Sequence, residues 1–407
     1  MRRRTAKMDT HIIELISTAT HVQWSVTIPQ YFFFTGVSAA AFLISSLTYV
    51  FDNKTYEPIA GLSLIVAFTV LLAAPLNLIA DLAQPGRFYS LFYHLHATSP
   101  MSWGVFLLTS YPILISLEML FVFRAGFARR AAKSTGILRS IYTLVALGNI
   151  EVTPATHERD HRVGRILGTI GIPAALAVHG YTGYILGVVR ARALWHTSLM
   201  PVIFLISAMV SGVALMIWLT ALMVRDKNGK IPWNILDGLG ILLVWSIVGD
   251  LTLRLLWYSI GFAYSFGIFQ DALPYVFKTH FTESVVLEMG LCLSFPLVVS
   301  LFGPLRRIRP LFLFTSLLAI CGVWLFRWDT VIGGQEFPKI SAGLAEYVPA
   351  LWGQTGIMEV ISNWAIWIVF FIGLTWIMPW KSEPTAESDL TSGINIESAA
   401  VTAKGAM

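Results

Sequence analysis

Long apolar stretches alternate with short polar ones along almost the whole chain. A helix that crosses a bilayer needs about 20 mainly apolar residues. Nine stretches meet that length, at 26–51, 58–81, 102–124, 166–189, 197–224, 235–263, 284–303, 308–326 and 358–379. Residues 137–150 (ILRSIYTLVALGNI) are apolar but shorter, and predict an interfacial helix within the 125–165 loop. The pattern predicts an all-α polytopic membrane protein. Spans one to four form a first four-helix bundle (26–189) and spans five to eight a second (190–326), with the last span appended in 327–380. Residues 1–25 form an N-terminal segment, and 381–407 are small and polar, read as a disordered tail. The basic start MRRRTAK leads into no A-x-A-like cleavage site, so no removable signal is expected. No repeat of fixed period marks a solenoid. Gly36, Ala39, Ala40 and Ala41 in span one, and Ser207, Ala208, Ser211 and Gly212 in span five, predict close helix packing.

Composition agrees. Hydrophobic residues make up 56% and charged residues 13%, about half the usual share of a soluble domain. That excludes a disordered chain and an ordinary soluble enzyme. The net charge of +5 is accounted for by cytoplasmic loops, and no basic stripe interleaved with aromatics points to nucleic acid. Loops after the odd-numbered spans hold 17 Lys and Arg, the opposite side 10. The imbalance places the N-terminus outside and the tail inside, in the cytoplasmic membrane of a prokaryote. The two cysteines, Cys292 and Cys321, sit in apolar runs without a C-x-x-C, and of nine histidines only His179 lies deep in a span. No metal site, haem or iron–sulfur cluster is therefore expected in this chain.

Alternating topology brings three polar segments to one surface. These are HVQWSVTIPQY before and into span one, DLAQPGRF and FYHLHATSPMSWG after span two, and HGYTGYILGVVRARALWH leaving span four. His21, Gln23, Gln30, Asp81, Arg87, Tyr181 and Tyr184 stand out. A quinone, with two carbonyls on an apolar ring, needs such donors and aromatic walls, and its reduction needs a titratable group nearby. Asp81 and His179 are candidates for proton exchange. Interfacial anchoring of Trp, Tyr and Arg accounts for the same cluster without a ligand. Asp81 and Arg87 could equally form an ion pair that fixes the loop, and His179 could be a satisfied core histidine.

Elsewhere, Asp250 and Arg254 share a helix face, with Glu288 one turn into span seven. Asp237 and Glu118 lie toward the cytoplasmic ends of spans six and three. Ionisable groups in a membrane are costly and face the bundle interior or water. They suggest a proton route from Glu118 or Asp237 through Asp250 and Arg254, or a buried pair that fixes packing.

Several of these runs resemble one family. W-x5-QYFFFTGVSAAAF, DLAQPGRF, SPMSWG, YTGYILGVVRARALWHTSLMP and SAMVSG, in this order over residues 24 to about 215, resemble the integral membrane subunits of polysulfide reductase and NrfD. The resemblance implies a subunit that anchors a multiprotein oxidoreductase in the lipid and binds menaquinone or ubiquinone. Its implied partners are a ferredoxin-like iron–sulfur subunit and a catalytic subunit, either a molybdopterin enzyme or a multihaem cytochrome. It points to His21 and Tyr181 as quinone contacts, with Tyr184 the alternative to Tyr181, and Gln23 or Gln30 the alternatives to His21. Nine spans, a long loop and a polar tail depart from the smallest relatives. Two other readings stand beside this one. One is a structural anchor without a quinone site. The other is a transporter or proton channel built on Asp250, Arg254 and Glu288, although no inverted repeat with broken helices supports it.

Overall fold

The computed structural model describes residues 22–381 apart from Ala97, Lys227, 265–268, 338–344 and Glu346. His21 lies outside the described residues, as do 382–407 of the tail. Among the described residues nine helices are long and apolar enough to span a membrane: α1 Thr27–Tyr49, α2 Lys54–Ala80, α3 Pro100–Lys133, α4 Pro154–Gly187, α5 Met200–Met223, α6 Trp233–Ala263, α7 Phe281–Leu301, α8 Arg309–Glu336 and α9 Ile357–Ile377. Helices suit lipid because each backbone group finds its partner within the segment.

Helices α1–α4 pack in a closed ring and α5–α8 in another. The two rings meet where α1 touches α5 and α8, and α4 touches α5. Small residues make the junction close. A Cβ added to Gly212 would lie 2.3 Å from Ala40 Cβ, and one on Gly36 would lie 3.1 Å from Ala208 Cβ. Without a strong hydrophobic drive in lipid, such backbone approach supplies much of the packing.

Helix α9 packs on α2, and the segment that follows folds back between α2 and α3. There Trp380 is buried, and Pro379 Cγ lies 2.5 Å from where a Cβ on Gly126 would sit.

Three spans run further than their apolar stretches. Helices α3 and α4 have 34 residues each, or about 51 Å, against about 30 Å of hydrocarbon. Their charged ends continue as helix beyond the lipid because the backbone ladder does not require apolar side chains. A buried Arg124–Asp160 ion pair ties the two extensions together, and Arg124 Nη1 donates to the Asn149 carbonyl at 2.9 Å. A capping box starts α4: Thr153 Oγ1 accepts from Thr156 N at 3.2 Å and Thr156 Oγ1 accepts from Thr153 N at 2.9 Å. The short helix Gly136–Val145 between them leaves Ile137, Leu138, Ile141 and Leu144 exposed, as a helix lying at an interface would. Helix α8 continues ten residues beyond the expected end at 326, through wider i→i+5 turns over Asp329–Gly333.

Candidate functional site

We call the surface at which α1 begins the first surface, and the one at which it ends the second. Helix α1 has no side-chain bond from its N-cap residue, and the backbone donors of the segment that leads into it, Gln23 to Val26, are met by three distant segments. Gln335 Oε1, at the end of α8, accepts from Gln23 N at 3.0 Å and Trp24 N at 2.9 Å. Asp81 Oδ1, just past α2, accepts from Ser25 N at 3.0 Å, from Ser25 Oγ and from Thr27 Oγ1 at 3.2 Å. Tyr347 Oη accepts from Val26 N at 3.1 Å.

Beneath this knot lies a cavity of about 310 Å³ at the first surface, among α1, the end of α2, the start of α3 and the end of α4. Trp24, Ile28, Tyr31, Phe32 and Leu108 give it apolar and aromatic walls, and Gln23, Asp81 and Tyr181 supply polar groups. Tyr181 reaches it because α3 carries no side chain at Gly104. A Cβ there would lie 2.2 Å from the Tyr181 hydroxyl. The described hydrogen bonds to Asp81 all fall on Oδ1. Burial raises the Asp81 pKa above the ordinary carboxylate value, against the lowering effect of the Ser25 and Thr27 donors.

The other anticipated residues lie elsewhere. Gln30 is fully buried near the start of α1, where its Oε1 accepts from Trp324 Nε1 of α8 at 2.7 Å. Tyr184 is on an exposed face of α4 and Arg87 is exposed on the loop. The Asp81–Arg87 pair is replaced by Asp81's bonds to Ser25 and Thr27, which are nearer in the fold. His179 is fully buried between the bundles. Its Nε2 donates to the Phe204 carbonyl at 2.8 Å, and a Cβ on Gly36 would lie 2.8 Å from its ring. Arg327 donates to the same carbonyl at 3.0 Å and to Ser207 Oγ at 2.7 Å. This is the geometry of a satisfied core histidine. Arg327 is absent from the residues singled out by sequence, because a charge at the end of an apolar run reads as the end of a span. The apolar TVIGG shortly after it is the signal that the helix continues.

The second bundle holds a buried charged cluster of its own. Arg254 pairs with Asp250 at 2.7 Å and with Glu288, all three nearly inaccessible, and its guanidinium lies 3.8 Å from the Phe326 ring centre. Toward the first surface follow Ser284, which donates to Asp329, and then His280, which faces Glu336 at 3.1 Å and Glu283 at 3.0 Å. Glu118 and Asp237 do not join this column. Glu118 is buried in the first bundle beside Gly168, and Asp237 lies with Arg306 and Arg307 at the second surface. Fully buried Leu239, Leu243 and Ile247 separate Asp237 from Asp250 along α6.

Glu336 above all, and Glu283 with it, raise the His280 pKa to about 9 despite burial. Bonds to the protonated ring stabilise the fold fully below the ordinary histidine value, about 6.5, and are lost as pH rises through about 9. Thermal unfolding of the purified protein should therefore show a larger Tm loss between about pH 7 and about pH 10 than the His280→Gln variant shows. Equal losses would show that this contact adds nothing to stability.

The family model for polysulphide reductase, NrfD, matches residues 14–339. The chain belongs to the NrfD family. It is 32% identical over 335 residues to a selenate reductase subunit of Mesobacillus selenatarsenatis, covering 80% of this chain and 77% of that one. It is 24% identical to a polysulfide reductase subunit of Wolinella succinogenes, over 78% and 95% of the two chains. It is 21% identical to the Hdr-like menaquinol oxidoreductase integral membrane subunit of Archaeoglobus fulgidus, over 89% and 87%. The resemblance drawn from the short motifs is thereby established as membership.

Proposed function

We propose that this NrfD-family chain, a membrane subunit of an oxidoreductase complex, binds the ring of a quinone or quinol in the first-surface cavity. The observation that carries this reading is the convergence of Tyr181, Asp81 and Gln23 from three separate segments on one aromatic-walled space. Its volume lies at the small end of the range for small-molecule sites, about 300–1,000 Å³, enough for a ring whose tail leaves along lipid. A relative named as a menaquinol oxidoreductase subunit supports the same chemistry and favours menaquinone.

A bound quinone supplies two-electron chemistry coupled to two protons. Tyr181 would donate its hydroxyl to a ring carbonyl, and Gln23 would offer an amide at the mouth. Asp81 would serve proton exchange: burial raises its pKa above the ordinary carboxylate value, and Ser25 and Thr27 hold it in place. Electrons pass between this site and a catalytic subunit, in either direction, by way of a ferredoxin-like iron–sulfur subunit docked on the first surface. Following the Lys and Arg imbalance, we place the first surface on the outer side of the cytoplasmic membrane. His179 is not assigned to proton exchange, because its ring nitrogen is bonded within the core.

The test is direct binding of a heptyl-hydroxyquinoline N-oxide, a quinone-ring analogue whose fluorescence is quenched when it binds. The purified protein should bind it at one site. Tyr181→Phe and Asp81→Asn should each weaken binding about tenfold, the effect of one lost hydrogen bond of about 1.4 kcal/mol. Unchanged binding in both variants would reject the site.

A further inference from the structure

The geometry points to Gln335 as a positioning residue for the cavity, acting on it from the other bundle. Gln335 does not line the cavity; it holds the chain that does. Its Oε1 accepts from the backbone N–H groups of both Gln23 and Trp24, at 3.0 and 2.9 Å. Those two residues supply the polar mouth and one aromatic wall of the cavity. The side chain is only 3% exposed, and its Nε2 donates to the Val331 carbonyl at 3.1 Å, which fixes the amide's orientation. Two adjacent donors sharing one oxygen make the geometry specific: only an acceptor at this spot satisfies both.

The surroundings hold Gln335 in turn. Arg192 Nη1 donates to the backbone carbonyls of Gln335 at 2.7 Å and Phe337 at 3.0 Å, bracketing the residue. Trp195 Nε1 donates to the Thr330 carbonyl at 2.6 Å, and its ring stacks on Trp24 at 5.2 Å between centres. That ring packs directly on Gly334, where an added Cβ would lie 1.9 Å from Trp195 Nε1. The end of α8 therefore grips the cavity wall twice, through Gln335 on the backbone and through Trp195 on the ring. The i→i+5 turns over Asp329–Gly333 directly precede this contact, and such insertions concentrate at functional sites.

This assignment rests on the quinone-site reading, and the experiment separates the two. Binding of the same N-oxide probe is measured on the purified full-length chain, wild type and two variants. Gln335→Leu removes the acceptor and substitutes an apolar side chain of similar bulk, and is expected to weaken binding at least tenfold. Gln335→Glu keeps an oxygen for both N–H groups, and is expected to stay within about threefold of wild type. Melting temperatures of both variants are followed in parallel. A purely structural role would lower binding in step with Tm in both. The positioning role predicts loss in Gln335→Leu and recovery in Gln335→Glu at matched Tm. If wild type binds the probe and Gln335→Leu binds equally well, the inference is overturned while the site stands. If wild type does not bind the probe, the site itself fails. Should Gln335→Leu not fold, Gln335→Met serves in its place, with the same expected loss.

Discussion

Gly104→Ala is expected to abolish binding of the quinone analogue. The added Cβ would meet the Tyr181 hydroxyl at 2.2 Å, its Cζ at 2.5 Å and its Cε1 at 2.6 Å, so the whole end of the ring is in the way. No rotation of the hydroxyl relieves this. Either the ring swings into the cavity and fills it, or α3 moves off α4 and carries its wall of the cavity out of reach. Overpacking of this kind costs about 1–3 kcal/mol, so the protein should still fold with a lowered Tm. The double variant Gly104→Ala with Tyr181→Ala, in which the clash is gone, should not regain binding, because the hydroxyl is lost with the ring. Analogue binding and Tm in the two variants check this. Full binding by Gly104→Ala would show that the Tyr181–Gly104 contact does not shape the cavity.

The second large effect is expected in the other bundle. Arg254→Leu should prevent the protein from accumulating in the membrane. The substitution leaves Asp250 and Glu288 side by side in the bundle interior without their shared cation. Removing one partner of a buried ion pair costs about 3–5 kcal/mol, a large part of the about 5–15 kcal/mol that holds a typical fold. Neutralising both carboxylates in the same chain, with Asp250→Asn and Glu288→Gln, should restore accumulation. The demand is for charge balance at a desolvated spot rather than for arginine itself. Membrane yield and Tm of the single and triple variants decide the matter. Arg254→Leu accumulating like wild type would mean that water already solvates these groups.

This cluster also shows what lay open to a linear reading. Asp250 and Arg254 stand four residues apart, so their pairing follows from helical geometry alone. That Glu288 completes the set depends on how α7 is rotated against α6. Glu118 and Asp237 carry the same in-membrane signal in the sequence, yet they lie in the other bundle and at the other surface. Gln30 and Gln23 are alike as candidates. One is turned toward α8 and consumed by Trp324, whereas the other lines the cavity.

The sequence by itself determined the nine spans and the gathering of polar groups at one surface. Span length is a local property set by the bilayer, and the side on which a segment emerges follows from parity. Only the tertiary structure decided which of those polar groups share a cavity. That depends on helix rotation, on close approach at positions such as Gly104 and Gly36, and on side chains such as Gln335 and Arg327 that arrive from hundreds of residues away or from deeper neighbouring helices. Such contacts are fixed by packing between helices, which no single stretch of sequence encodes.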